Sequence, residues 1–598
     1  MTLALSILVH ALLGVALAAV IWLTGVPAAL RLPGRQLTNA YAAGLLIVVA
    51  AAFLALLSVW LVPVALAAVV LLTWRGARAA GGETRVRAGR SLAAALPGTL
   101  GFAVALGLFQ HGPDAERGSN AFGDLVFYVA ELRSAAQSVA PFRDLSLAGF
   151  DHTYVQSAPT FVGAALDVLP GFDPFLFFTT TLPACLFGSL AIGFGTIERR
   201  GAVVVAALLA VGAFAYPTWL SESPPITLAA PVAFSFLSFV AFPALSSAAL
   251  AAAALVLTKG IGLVPLAPLV VVELGRRDRR RALVALVAGV AAVAVAVLAA
   301  DWLTELLVLE FLPAEAFDGL RDQLDARSTQ QLAPALLVAG HVLLVVATAR
   351  LRRPDLLAAV AAGVGAVWFV GGHGADAALV LSALLVALEL GRLTPERTTR
   401  VLFGGATACL VAGAWFREVA GVGTGAALLA LALLALLGGF GAARPRVLAV
   451  LAAATLGIAL AAGFLRLDPA APPLTSEDAE LVERVSKLPA DALVFTSLTG
   501  PTITSDEGWN YYSAVSGRQH YVAGWANSEL RVRPNERERR LRLNRLALAG
   551  RLGPALADAG IASDRPLYVV LRAGELAPPG ARPLYENDRF ALFELRAP

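Results

Sequence analysis

The residues with the clearest chemical potential in this chain are an Asp, a Tyr and a Glu at helical spacing. In Gly123-Asp124-Leu125-Val126-Phe127-Tyr128-Val129-Ala130-Glu131-Leu132-Arg133, the residues Asp124, Tyr128 and Glu131 stand at i, i+4 and i+7. On a helix they share one face, while Leu125, Phe127, Val129 and Leu132 make the remainder mostly apolar. The pattern predicts an amphipathic helix lying at a membrane surface. A carboxylate held on its polar face can take a proton from a hydroxyl. A solvated face without chemistry has the same pattern, and both readings stand at this point. Tyr128, Glu131 and Arg133 are candidates for orienting an acceptor. So are Asp151, His152 and Tyr154, which follow in an extended, Pro-containing segment ending at Pro159.

Four other places collect polar groups. Only Lys259 and Lys487 are lysines among 46 basic residues, and Lys259 lies in Thr258-Lys259-Gly260 between two apolar runs. Its compact ammonium suits a lipid phosphate or a leaving group, or it reaches to the interface as a snorkelling side chain. Glu222, in a short turn after Tyr216-Pro217, is a second candidate carboxylate. It would orient an acceptor or hold a divalent cation (Mg or Mn), or simply mark a helix terminus. His373, in Gly371-Gly372-His373-Gly374, is a phosphate or sugar ligand or a surface His on a flexible hairpin. Near the carboxyl end, Tyr512, Arg518, His520 and Trp525 combine aromatic faces with donors that suit carbohydrate, and they equally fit a packed loop region. No phosphate-binding loop, nucleophile elbow, HExxH or dinucleotide fingerprint occurs.

The elements that must position these groups follow from composition. The 598 residues are 58% hydrophobic and 15% charged, with a mean hydropathy of +0.74. Soluble domains run at about 45–50% apolar and about 25% charged. An ordinary soluble enzyme and a disordered chain are excluded, and most of this chain expects lipid as its solvent. About sixteen apolar stretches have span character, from 2–24 to 446–465, with the run 40–74 split near Trp60 and Pro63. The first stretch lacks a basic leader and is expected to stay as a span. Arginines cluster between stretches, at Arg31/Arg35, Arg75–Arg90, Arg199/Arg200, Arg276–Arg281, Arg350–Arg353, Arg392–Arg400 and Arg444/Arg446. When the spans alternate, every cluster falls on one side, as the positive-inside rule requires. The basic pI near 9.2 is therefore assigned to topology, not to nucleic acid. The long loops 111–157 and 301–330 are acidic and fall on the other side with the carboxyl-terminal region. A multi-pass inner-membrane protein with an extracytoplasmic tail is expected. Cys185 and Cys409 lie in apolar runs and read as small hydrophobes.

Three regions result. Residues 1–90 are accessory helices, 91–466 hold the membrane body with outer loops 111–173 and 301–330, and 467–598 form a small α/β domain. In the last region the pattern predicts helices over 476–487 and 535–549, strands over 492–497 and 566–572, and a closing hairpin over 582–595. The basic face Arg537, Arg539, Arg540, Arg542 and Arg545 suits anionic headgroups or an acidic glycan. The Arg-for-Lys and Ala bias is that of a GC-rich bacterial genome.

The run Asp124-Leu125-Val126-Phe127-Tyr128, in the first large outer loop, resembles the Asp-x-x-Phe-[Tyr/His] interface helix of GT-C class membrane glycosyltransferases. The segment Asp151-His152-Thr153-Tyr154 through Pro159 is similar to their downstream Pro/Tyr segment, and Thr258-Lys259 to a Thr-Lys helix end. The resemblance covers roughly residues 91–275. The three preceding spans are additions to the minimal pattern. The tail, an α/β domain with a Gly-Arg step, also resembles external domains of some bacterial members. The resemblance implies a polyprenyl-phosphate sugar as donor and Asp124 as the base that deprotonates an acceptor hydroxyl on a glycan, lipid or protein. The alternatives are a transporter or flippase for a lipid or polysaccharide, and a non-catalytic scaffold for envelope assembly. A transporter carries ionisable groups near mid-membrane and often internal repeats; here polar groups gather at the outer edge.

Overall fold

The computed structural model describes residues 3–111, 124–137, 145, 148, 157–197, 226–277, 332–369, 372–392, 396–418, 476–499, 511–522, 534–561 and 564–595. The chain is mostly helical, with a small sheet near its carboxyl end. The helices are α1 Leu3–Ala29, α2 Ala40–Leu57, α3 Val62–Ala79, α4 Gly82–His111, α5 Asp124–Gln137 and α6 Ser157–Leu166. They continue with α7 Pro174–Thr196, α8 Ile226–Ala241, α9 Leu245–Thr258, α10 Leu263–Arg277, α11 Leu332–Arg350, α12 Pro354–Phe369, α13 Gly372–Arg392 and α14 Arg397–Glu418. Every predicted apolar stretch is helical where it is described. The stretches 201–216, 282–300, 423–440 and 446–465 lie outside the described residues.

Among the described residues, four helical segments are long and apolar enough to cross a membrane: Ala4–Ala29, Leu37–Leu57, Val59–Ala79 and Pro174–Thr196. The first has 26 residues, about 39 Å at the helical rise, against a hydrocarbon core of about 30 Å. Several apolar helices thus fit a membrane protein. α3 is the most open of them, with Val64, Leu66, Val70 and Leu71 exposed. Trp60 and Trp74, both exposed, flank that stripe about 21 Å apart along the axis. The Arg78 guanidinium lies 3.8 Å from the Trp74 ring centre.

Close packing rests on small residues. α1 and α2 run antiparallel, and Gly25 and Gly44 face each other where they cross. α7 contains a wider π turn over Phe177–Thr181. Pro183, just after it, has no N–H to close the next α-turn. The turn from α1 to α2 uses left-handed backbone at Gly34 and Arg35, and Gly34 lies against the Phe242 ring between α8 and α9.

The bundle has two unlike ends. Asn39, at the start of α2, donates to Ser247 at the start of α9 (3.0 Å). Helices α2 and α9 therefore run the same way, and Lys259, which terminates α9, emerges at the end where α2 stops at Leu57. Phe53, one turn earlier, stacks on Phe161 of α6 (5.3 Å between centroids). His10, near the start of α1, accepts from the Asp173 amide at this same end (3.1 Å). The opposite end carries the turn with Arg31 and Arg35, the ion pairs of Arg276 with Glu273 (3.3 Å) and Asp355 (3.6 Å), and that of Arg353 with Asp355 (2.6 Å). Several of the arginines read as topology signals are thus also joined to buried acids.

The carboxyl-terminal domain comprises α15 Ser476–Ser486, β1 Leu493–Thr496, α16 Tyr511–Ser516, β2 Gln519–His520, α17 Pro534–Leu548, α18 Gly553–Asp558, β3 Leu567–Arg572, β4 Arg582–Glu586 and β5 Phe590–Leu595. The sheet order is β2-β1-β3-β5-β4. β2, β1 and β3 are parallel; β3, β5 and β4 are antiparallel neighbours. The predicted helices, strands and hairpin are all present. α16, β2 and α18 escape the sequence pattern. Side chains alternate cleanly across the strands. Leu493, Phe495, Leu567, Val569 and Leu571 face α17 and α18. Val494, Tyr568, Val570 and Leu592 face α15 and α16, in one core continuous with the bundle.

Candidate functional site

α5 spans Asp124–Gln137, a helix as predicted, but its described middle is not a wet face. Tyr128, Val129, Glu131, Leu132 and Ala135 are all buried. One side packs on α6 and α7: the Tyr128 ring lies 5.8 Å from Phe178, and Thr160 donates to Glu131 Oε2 (3.3 Å). Another side is covered by α16 of the carboxyl-terminal domain. Tyr128 and Glu131, two of the three residues of the pattern, meet neighbouring helices of the bundle rather than water.

The domain is bonded to the first long loop at several points. Gln137 Nε2 donates to the Gly517 carbonyl. The His520 amide donates to the Leu145 carbonyl (2.8 Å), and the Ala148 amide to the His520 carbonyl (3.1 Å). Leu145 and Ala148 thereby bond the backbone of His520 in β2. Arg540 Nη1 donates to the Ala148 carbonyl. Loop and tail form one body at the Lys259 end of the bundle, across the predicted 91–466 and 467–598 boundary. None of Thr160, Gln137, Leu145, Ala148 or Gly517 carries a motif. Only the long-range fold brings them in.

The tail candidates for sugar binding are mostly internal. Tyr512 is buried, and its hydroxyl donates to Asp478 Oδ1 (2.6 Å). Arg589 pairs with the other oxygen of Asp478 (2.6 Å). Replacing Asp478 with Ala strands a buried phenol and half-buried guanidinium, and should destabilise the tail domain by about 2–4 kcal/mol. Its urea midpoint should fall with the slope unchanged. Arg518 donates to the Leu488 (2.8 Å) and Ser486 (2.5 Å) carbonyls, closing the end of α15 where a cation is favoured. The basic face also divides. Arg540 is buried against Asp558 (3.5 Å) and the Tyr521 ring, Arg539 pairs with Asp558, and Arg542 and Arg545 are exposed. Because α17 covers the sheet face opposite α16, this helix packs within the tail domain on the side away from the bundle.

His520 is fully enclosed, its Nδ1–H donating to the Arg518 carbonyl (3.0 Å). Burial pulls its pKa down to about 4 from 6.5. The folded domain therefore holds the neutral ring. Its stabilising share is complete above pH 6.5 and is lost as pH falls towards 4, on the order of 3 kcal/mol. Thermal unfolding of the tail should show this drop, and His520→Gln should flatten it.

At the rim of α5, Arg133 grips Asp167 through Nη1 (2.9 and 2.8 Å). Burial pushes the Asp167 carboxyl up, and the guanidinium opposes that. Asp167 was not anticipated, although an acid directly after an apolar helix was a signal to follow. Lys259 is half-buried with extended backbone, followed by a tight turn whose Gly262 lies against Leu381 of α13. His373 does not stand in a hairpin; it belongs to the first turn of α13. α6 stands between α5 and α9, so Asp124 and Lys259 share one end of the bundle without adjoining. Asp151, His152, Tyr154, Glu222 and Trp525 lie outside the described residues. Among the described residues, no group of three or more His, Cys, Asp or Glu is arranged to hold a metal ion.

Compared with known protein families, curated proteins and solved structures, the chain matches none.

Proposed function

We propose that this chain is a multi-pass inner-membrane glycosyltransferase of GT-C type. In this reading some sixteen spans alternate across the bilayer, and the tail domain lies on the extracytoplasmic side. The enzyme moves a sugar from a polyprenyl phosphate to an acceptor hydroxyl on that face. The observation that carries the reading is positional. Asp124 opens the helix clamped between bundle and tail, and Lys259 emerges at the same end, while the paired arginines collect at the other.

The chemistry is a single displacement. The acceptor oxygen attacks the anomeric carbon as its proton passes to the Asp124 carboxylate. The bond to the phosphate oxygen breaks, and the electron pair leaves on the polyprenyl phosphate. Lys259 stabilises that charge, with His373 as a further candidate. One displacement inverts the anomeric centre. Asp151, Glu222 and Trp525 remain candidate acceptor contacts on this reading; Tyr128, Glu131 and Arg133 support α5.

The test is transfer by the purified full chain in proteoliposomes supplied with a radiolabelled polyprenyl-phosphate sugar. Label moving to a hydroxyl acceptor only when donor and tail domain share a side supports the proposal. Donor that crosses the bilayer without hydrolysis or transfer would instead identify a flippase.

A further inference from the structure

Arg133 offers more than its ion pair. Its side chain is 31% exposed. Nη1 is committed to Asp167, yet its buried Nε meets no acceptor. Arg518 stands behind it: burial, and after it the Arg133 charge, holds Arg518 below the usual guanidinium range. The Arg518 donors are taken by backbone carbonyls of Ser486, Leu488, Ser516 and Gly517. Arg133 thus lies beside the Gly517–Arg518 step, its own charge on the Asp167 carboxylate.

Beside this pair the chain turns through Asp167–Asp173 and presents Val168 and Leu169, 79% and 44% exposed. The tip is held in place. Asp167 N donates to the Gly163 carbonyl (3.0 Å), Gly171 takes left-handed backbone, and Asp173 Oδ1 accepts from the Phe175 amide (2.8 Å). Two apolar side chains at a fixed tip, next to a half-open guanidinium, match an amphiphile. The part of the guanidinium not held by Asp167 offers a charge-assisted N–H to a phosphate oxygen, and the apolar tip suits a hydrocarbon chain. A soluble anion would gain nothing from Val168 and Leu169.

We infer that Arg133 and the Val168–Leu169 tip bind a membrane phospholipid, its phosphate on the guanidinium and its chain over the tip. The site is separate from Asp124 and Lys259. It rests on the membrane reading and not on glycosyl transfer.

The test uses the full chain reconstituted in phosphatidylcholine nanodiscs containing phosphatidylglycerol, with retained phosphatidylglycerol counted by native mass spectrometry. Wild type should retain it. Arg133→Gln should weaken retention about tenfold, and Arg133→Lys less. The double change Val168→Ser with Leu169→Ser should weaken it with every charge kept. Undiminished retention by folded Arg133→Gln overturns the inference. Should that variant not fold, unchanged retention by the double variant, altered only at exposed positions, overturns it as well. Millimolar inorganic phosphate should leave the lipid bound; displacement would mean a free-anion site and end the lipid assignment.

Discussion

Asp124→Asn is expected to slow sugar transfer by about 10²–10⁴-fold, the usual contribution of a positioned general base. The substitution keeps shape and hydrogen bonding but removes the proton acceptor. The tail domain should therefore melt as wild type does while turnover collapses. Asp124→Glu should recover part of the rate, because the proton acceptor returns at the wrong length. Donor affinity, read by binding of a non-transferable polyprenyl phosphate, should hardly move in either variant, since Lys259 is untouched. A folded Asp124→Asn protein with full turnover would refute the base assignment, and a proportional loss of donor binding would make Asp124 a ligand of the donor instead.

Gly44→Leu should destroy the bundle rather than tune it. A Cβ at Gly44 would overlap the Ile21 carbonyl of α1, and one at Gly25 would overlap the Ala40 carbonyl of α2. Both obstacles are backbone, so no side-chain rotation relieves them. Overpacking in a closed core typically costs 1–3 kcal/mol, and here whole helices must separate, so about 3 kcal/mol is the lower end. Loss of monodisperse protein after detergent extraction is the expected outcome, with Gly44→Ala impaired less. By contrast, Gly89→Ala should be tolerated, because nothing lies within 4 Å of a Cβ there. Equal yield of Gly44→Leu and wild type would show that α1 and α2 do not cross as described.

The periodicity of the tail was enough to find α15, β1, α17, β3 and the hairpin. α16, β2 and α18 were out of reach. β2 has two residues, Gln519 and His520, and is a strand only because β1 lies on one side and Leu145–Ala148 on the other. The same contacts explain why Arg518 and His520 looked like ligands. Donor-rich residues in a polar run have the same signature whether they meet a sugar or a helix terminus. For α5 the i, i+4, i+7 pattern was correct and its environment was not. Glu131 is buried by Thr160 and the neighbouring helices, and Arg133 answers Asp167, 34 residues on.

The amino-acid sequence by itself determined that several apolar stretches fit a membrane protein, that those described are helical, and that the tail has α/β character. Each of these follows from local composition or from a period of 2 or 3.6 residues, which a single segment carries in full. Tertiary structure alone decided that the first long loop and the tail domain are one body, that Asp124 and Lys259 share an end, and that Tyr512, Arg518 and His520 serve the fold. Those outcomes depend on contacts between segments up to several hundred residues apart, as between Gln137 and Gly517. Packing between such segments is set by shape and by paired charges, and no single stretch of sequence encodes either.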